Sequence, residues 1–267
     1  MLLKIPLLED FDLEKIMRYK PFFFFSSSEP VRAVRLGGKD VTLHFSQQGQ
    51  TLKIDADSEL SQKDADFLKK RIDYCFGASE DLSRFYALCE GDKVLSRFSE
   101  AVYGNRLLSA FTDFEALISI VCSQNVTFRQ YKKMVGNIIE CYGNGRHFPS
   151  ALDILKNPSL LKRCGVGYRD KYIISIAEYM KFRKSADIDS LHQVRGIGPY
   201  SLDIFRLFQT RDYSAFYVDV LITKIFRENY GAILESGSEV RSYAKKMFSG
   251  YAGLAEIYLQ KFISDNR

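Results

Sequence analysis

The sequence predicts a mainly α protein with a small α+β part at its N-terminus, on three observations. Apolar and polar residues alternate between positions 41 and 56. From about Asp81 onward apolar residues recur at helical spacing. The hydrophobic fraction, 46% of 267 residues, is ample for a buried core.

Val41, Leu43 and Phe45, then Leu52, Ile54 and Ala56, alternate as half-buried strands do. Gly37-Gly38 precedes the first run and Gln47-Gln48-Gly49-Gln50 separates the two, as hairpin turns would. Ser61 is placed to cap a helix over SQKDADFLKKRIDYCF. Further on, Phe114, Leu117, Ile118 and Val121 form one helical face. Tyr131, Met134, Val135, Ile138, Ile139 and Tyr142 form another, with Gly143 as its C-cap. The expected organisation is an antiparallel-sheet-plus-helix domain over 1–95 and a helical domain over 96–267.

Bulk properties narrow the function classes. No run reaches the ~18 apolar residues of a membrane span, and Glu9 and Asp10 come too early for a signal peptide. A cytoplasmic monomer is expected, or a nuclear one in a eukaryote. The five cysteines (Cys75, Cys89, Cys122, Cys141, Cys164) show no CxxC spacing, so neither a zinc nor an iron–sulfur site is signalled. Reduced, mostly buried thiols are expected. The net charge of +5 permits a polyanion partner without requiring one.

The most informative stretch is Arg195-Gly196-Ile197-Gly198-Pro199-Tyr200-Ser201-Leu202-Asp203-Ile204-Phe205. A short helical segment precedes it, Pro199 suits a first helical position, and Ile204, Phe205 and Phe208 keep helical spacing beyond. Helix, tight GxG turn, helix is the pattern. Such a turn leaves N–H groups uncovered beside a positive dipole end, a surface that binds phosphate. An ordinary helix–helix turn has the same pattern. Downstream, Phe216-Tyr217-Val218-Asp219-Val220 places an aspartate between an apolar run and a helix, where capping is its default role. A weaker echo of the GxG loop occurs at Gly165-Val166-Gly167.

The hairpin followed by Val-Asp-Val resembles the helix-hairpin-helix superfamily of base-excision DNA glycosylases. Asn105-Arg106-Leu107-Leu108, Ile120-Val121-Cys122-Ser123-Gln124-Asn125 and Gly165-Val166-Gly167-Tyr168-Arg169 are similar to the 8-oxoguanine glycosylases. Gln124-Asn125-Val126-Thr127, Arg241-Ser242-Tyr243-Ala244 and Ile257-Tyr258 look like the AlkA-type alkylbase glycosylases. The likeness runs from about residue 95 to 265. It implies the helix-hairpin-helix glycosylase fold, damaged double-stranded DNA as partner, and no membrane.

The resemblance also implies roles. Asp219 is the catalytic carboxylate; Gly196, Ile197, Gly198 and Tyr200 belong to the DNA-backbone hairpin. Asn125 and Tyr168 wedge the duplex, and Arg169 faces the orphaned base. Gln124, Tyr258 and Phe24 line the base pocket, although Tyr258 also suits a core and Phe22 to Phe25 also suit a buried strand. No cofactor is required; backbone carbonyls of His192, Val194 and Ile197 are candidates to hold a sodium or potassium ion.

Where the bifunctional members carry a Schiff-base lysine, this chain has Tyr200, so no lyase step is implied. Lys224, a turn after Asp219, reads as a phosphate or solvent contact. Two oxoguanine signatures are also missing: nothing around YKPFFFF matches Gly-Gln-x-Phe-Arg-Trp, and Gly253 and Ile257 replace a glutamine and a phenylalanine. The resulting expectation is a monofunctional glycosylase of alkylated bases resembling 3-methyladenine. The alternatives are an 8-oxoguanine-type glycosylase and a non-catalytic DNA-binding protein.

Overall fold

A computed structural model describes residues 1–18, 22–23, 30–231 and 236–265. Four strands, β1 (Leu2–Pro6), β2 (Val31–Leu36), β3 (Lys39–Gln47) and β4 (Thr51–Ala56), form an antiparallel sheet of order β1-β4-β3-β2. β1 and β2 were not anticipated, but Leu3 and Ile5 bury on alternate positions of β1 in register with Ile54 and Leu52. Helix α1 (Leu13–Arg18) lies between β1 and β2, and α2 (Gln62–Phe76) packs on the sheet. Ser61 caps α2 as expected, its side chain accepting the Asp64 N–H.

The remainder is helical: α3 (Ser83–Gly91), α4 (Ser99–Val102), α5 (Asp113–Ser123), α6 (Phe128–Tyr142), α7 (Ala151–Lys156), α8 (Asp170–Met180) and α9 (Ile188–Leu191), followed by α10 (Pro199–Gln209), α11 (Val220–Tyr230), α12 (Gly237–Phe248) and α13 (Ala252–Asp265). Gly143 ends α6, and a Cβ there would lie 1.8 Å from the His147 carbonyl oxygen, so only glycine fits. Of the cysteines, all free, only Cys141 is not buried. No helix among the described residues is long and apolar enough to cross a membrane.

Two buried clusters share the work of stabilisation, one under the sheet and one among the helices. Leu82, Phe85, Cys89 and Val94 belong to the helical cluster, whereas Leu108 and Phe111 close the sheet cluster. Residues 105–111 join the two. The Arg71 guanidinium of α2 donates to the carbonyls of Phe111 and Ala110 at 2.7 and 2.6 Å. Ser109 donates to the Phe208 carbonyl at 2.6 Å, and Arg106 pairs with Asp10 at 2.7 Å. This junction carries the Leu107 and Leu108 side chains to the floor of a cleft.

Candidate active site

The GxG turn sits between α9 and α10. Gly196 has φ +97°, in the left-handed region, and a Cβ there would meet the Tyr172 ring at 2.6 Å. Glycine is therefore required twice over. Ile197 anchors the turn in the core, 5% exposed, and Gly198 caps α10 with Pro199 at its first position. In the first turn of α10 the N–H groups of Tyr200 and Ser201 have no intrahelical partner, while that of Leu202 bonds the Gly198 carbonyl at 2.9 Å. Of the three carbonyls named for a monovalent ion, that of Val194 accepts the Ile197 N–H at 3.0 Å, closing the turn. Neutral backbone oxygens are the donor type an alkali ion takes, and each carbonyl has a second lone pair.

Asp219 stands at the start of α11, half-buried. Its Oδ1 accepts the Ile222 N–H at 2.7 Å, a true N-cap. The cap fixes the carboxylate at the positive end of α11, and its remaining oxygen is left for the cleft. Tyr200 of α10 stacks edge-on against Tyr217, centroids 5.1 Å apart. Burial, and then the charges of Asp219 and Glu256, push the Tyr200 phenol up to about 12, so its O–H is intact at neutral pH.

Both tyrosines and Asp219 line a cleft of about 500 Å³, a size typical of small-ligand sites. Phe22, Phe128, Tyr131 and Phe208 form an aromatic wall; Ile257, Gln260 and Lys261 of α13 close another side. Phe22 is held in place by α6: the Tyr131 hydroxyl donates to its carbonyl at 2.5 Å while the rings stack at 5.0 Å. Lys132 Nζ donates to the next carbonyl, that of Phe23, at 3.4 Å, and burial drops its amine to about 8. Phe22 and Phe23 themselves occupy a bend over the helical core, not a strand. Phe24 lies outside the described residues.

Three expected roles need correction. Tyr258 is not in the cleft: it is 2% exposed and stacked between Phe85 and Phe262, at 5.5 and 5.7 Å. On α13 its neighbour Ile257 takes the cleft-facing position, since successive helical residues point about 100° apart. Gln124 is not a pocket residue either. Its amide nitrogen is committed to the Gly196 carbonyl and Ser201 Oγ, both at 2.9 Å, tying α5 to the hairpin. Arg169 does not face a duplex. At 6% exposure its guanidinium donates to the carbonyls of Val121, at 3.2 Å, and Gln124, satisfying the C-terminal end of α5.

The other two residues expected to wedge the duplex, Asn125 and Tyr168, are exposed. Asn125 has φ +52°, a conformation asparagine tolerates, directly after the Gln124 carbonyl that Arg169 holds. Tyr168 is 54% exposed and lies over the Arg169 guanidinium at 4.6 Å. Arg169 is therefore the buried bolt between them. Lys224 pairs with Glu228 at 3.9 Å on the surface of α11.

The unplaced Tyr258 hydroxyl gives a sharp check. It has no hydrogen-bond partner among the described residues, so Tyr258→Phe is expected to be neutral or stabilising by up to about 1 kcal/mol in a denaturant melt. Base release by that variant should match the parent; a large loss would return Tyr258 to the pocket.

Cleft residues to which the sequence assigned no site role include Phe128, Tyr131, Phe208, Tyr217, Gln260 and Lys261. Tyr131 and Phe208 stand at the spacing of ordinary apolar helix faces. The available signal was on α13, where Glu256 and Gln260 interrupt an apolar stripe one turn apart.

No family model matches the chain. It is 26% identical over 296 aligned residues to a probable N-glycosylase/DNA lyase of Methanothermobacter thermautotrophicus, covering 94% of this chain and 92% of that one. Its structure is similar to 3-methyladenine DNA-glycosylase from Archaeoglobus fulgidus, with a TM-score of 0.81 at 18% identity, covering 99% and 98% of the two chains. It is also similar to Clostridium acetobutylicum 8-oxoguanine glycosylase/lyase in complex with double-stranded DNA, with a TM-score of 0.76 at 22% identity, covering 100% and 98%. The chain shares the fold of these DNA glycosylases over nearly its whole length.

Proposed function

We propose that the chain is a monofunctional DNA N-glycosylase that flips damaged bases, alkylated purines foremost, out of duplex DNA and hydrolyses their bond to deoxyribose. The observation that carries this reading is the capped carboxylate of Asp219 on the wall of an aromatic cleft that also contains hairpin residue Tyr200.

The hairpin N–H groups hold a DNA phosphate; the carbonyls of His192, Val194 and Ile197 would hold an alkali ion, which would supply positive charge beside that phosphate. Tyr168 and Asn125, both exposed, fill the gap left by the flipped base, which costs a few kcal/mol to unstack. Phe22, Tyr200 and Tyr217 offer ring faces to the base, and electron-rich rings favour a cationic, alkylated purine. As the glycosidic bond breaks, positive charge develops on the sugar. Asp219 stabilises it and aligns the attacking water. Tyr200, a phenol that keeps its proton, cannot form an imine with the sugar.

A second reading, an oxoguanine-type glycosylase with lyase activity, is favoured by the amine of Lys261 on the cleft wall. Base release from duplexes containing 3-methyladenine, 1-methyladenine, hypoxanthine or 8-oxoguanine separates the readings. Fastest release of an alkylated purine is expected. Preference for 8-oxoguanine would favour the second reading, and uniform binding without release would make the chain a DNA-binding protein.

A further inference from the structure

α13 carries a carboxyl where the burial pattern calls for an apolar residue. Glu256 is 0% exposed, one position before the cleft residue Ile257. Around it stand Asp219, Tyr217, Asp203 of α10 and Arg241 of α12, the last two paired with each other at 3.0 Å. Burial, and then the negative charge of Asp219, push the Glu256 carboxyl well above the usual carboxylate range.

Glu256 Oε1 accepts a hydrogen bond from Nε2 of Gln260 at 3.1 Å. Its other oxygen has no partner of good geometry among the described residues. Gln260 lines the cleft and Glu256 lies behind it. The bond to Glu256 takes one N–H of the Gln260 amide and fixes its plane, which leaves the carbonyl oxygen of this cleft residue to accept. That oxygen is an acceptor in the same aromatic-walled cleft as Asp219.

We propose that Glu256 and Gln260 form the base-reading element of the cleft: Gln260 accepts a hydrogen from the exocyclic amine of an adenine-type base, and Glu256 is the positioning residue that fixes the amide for that contact. The inference rests on the glycosylase reading and names the substrate feature it selects. A base with an oxygen in the amine's place sets oxygen against oxygen, which a site built for a donor rejects.

The test is the ratio of single-turnover release rates for 3-methyladenine and hypoxanthine, each above its uncatalysed background. In the parent the ratio favours 3-methyladenine. Gln260→Leu is expected to reduce it by about tenfold, the loss of one good hydrogen bond. Glu256→Gln, which keeps a carbonyl acceptor for the Gln260 amide, should preserve the ratio. Glu256→Leu should lower it as Gln260→Leu does, and where that variant melts early Gln260→Leu alone decides. A Gln260→Leu protein that slows on both bases equally would overturn the inference and leave the glycosylase reading standing. A parent that releases neither base would sink that reading, and the inference with it.

Discussion

Asp219→Asn is expected to lower single-turnover base release by about 10²–10³-fold or more while lesion binding is retained. Asparagine is nearly isosteric, and its side-chain oxygen can still accept the Ile222 N–H, so the α11 cap survives. What is lost is the negative charge opposite the developing sugar cation. Asp219→Ala separates the two roles. It loses the cap as well, costing about 1 kcal/mol of stability, yet its release should be no faster than that of the asparagine variant. Release unchanged in Asp219→Asn would make the aspartate a cap and nothing more.

Gly253→Ala is the second large effect. Gly253, in the first turn of α13, donates its N–H to the Tyr213 carbonyl at 2.8 Å, and lies so close to the loop between α10 and α11 that a Cβ would fall 1.9 Å from the Ala215 carbonyl oxygen. That contact is with backbone, which has no rotamer in which to retreat. Substitution must push α13 off the loop, and overpacking of this kind costs about 3 kcal/mol. The melting temperature should fall by about 6–12 °C, read in a thermal scan. Tyr217 and Asp219 end this loop, while Ile257 and Gln260 belong to α13, so base release should fall too. Full stability in Gly253→Ala would show that the helix does not sit this close. The same contact explains why this chain has no base-contacting side chain at position 253: the helix there packs directly on backbone.

Local chemistry made much of this molecule legible in the sequence. Ser61, Gly143, Pro199 and Asp219 sit at the helix ends their residue types favour, because capping and backbone freedom are settled within a few residues. The hairpin was legible for the same reason, since Gly196 must adopt a conformation few other residues tolerate. Residues whose roles depend on distant partners were not. Arg169 and Gln124 stand in a motif that suggested DNA and base contacts, but their polar atoms are committed to the end of α5 and to the hairpin. Tyr258 and Ile257 are adjacent in sequence, and only the packing of α13 decides which faces the cleft. Strands β1 and β2 are short and pair with strands far along the chain or across a turn, so alternation alone was a faint signal.

The most direct test of the account is a single-turnover incubation with a duplex holding one alkylated purine, with the products analysed before and after alkali and in the presence of borohydride. A monofunctional glycosylase releases the free base, leaves the strand intact until alkali cleaves the abasic site, and yields no covalent complex. Strand cleavage without alkali, with a protein–DNA adduct trapped by borohydride, would contradict it and point to an amine such as Lys261 as the nucleophile.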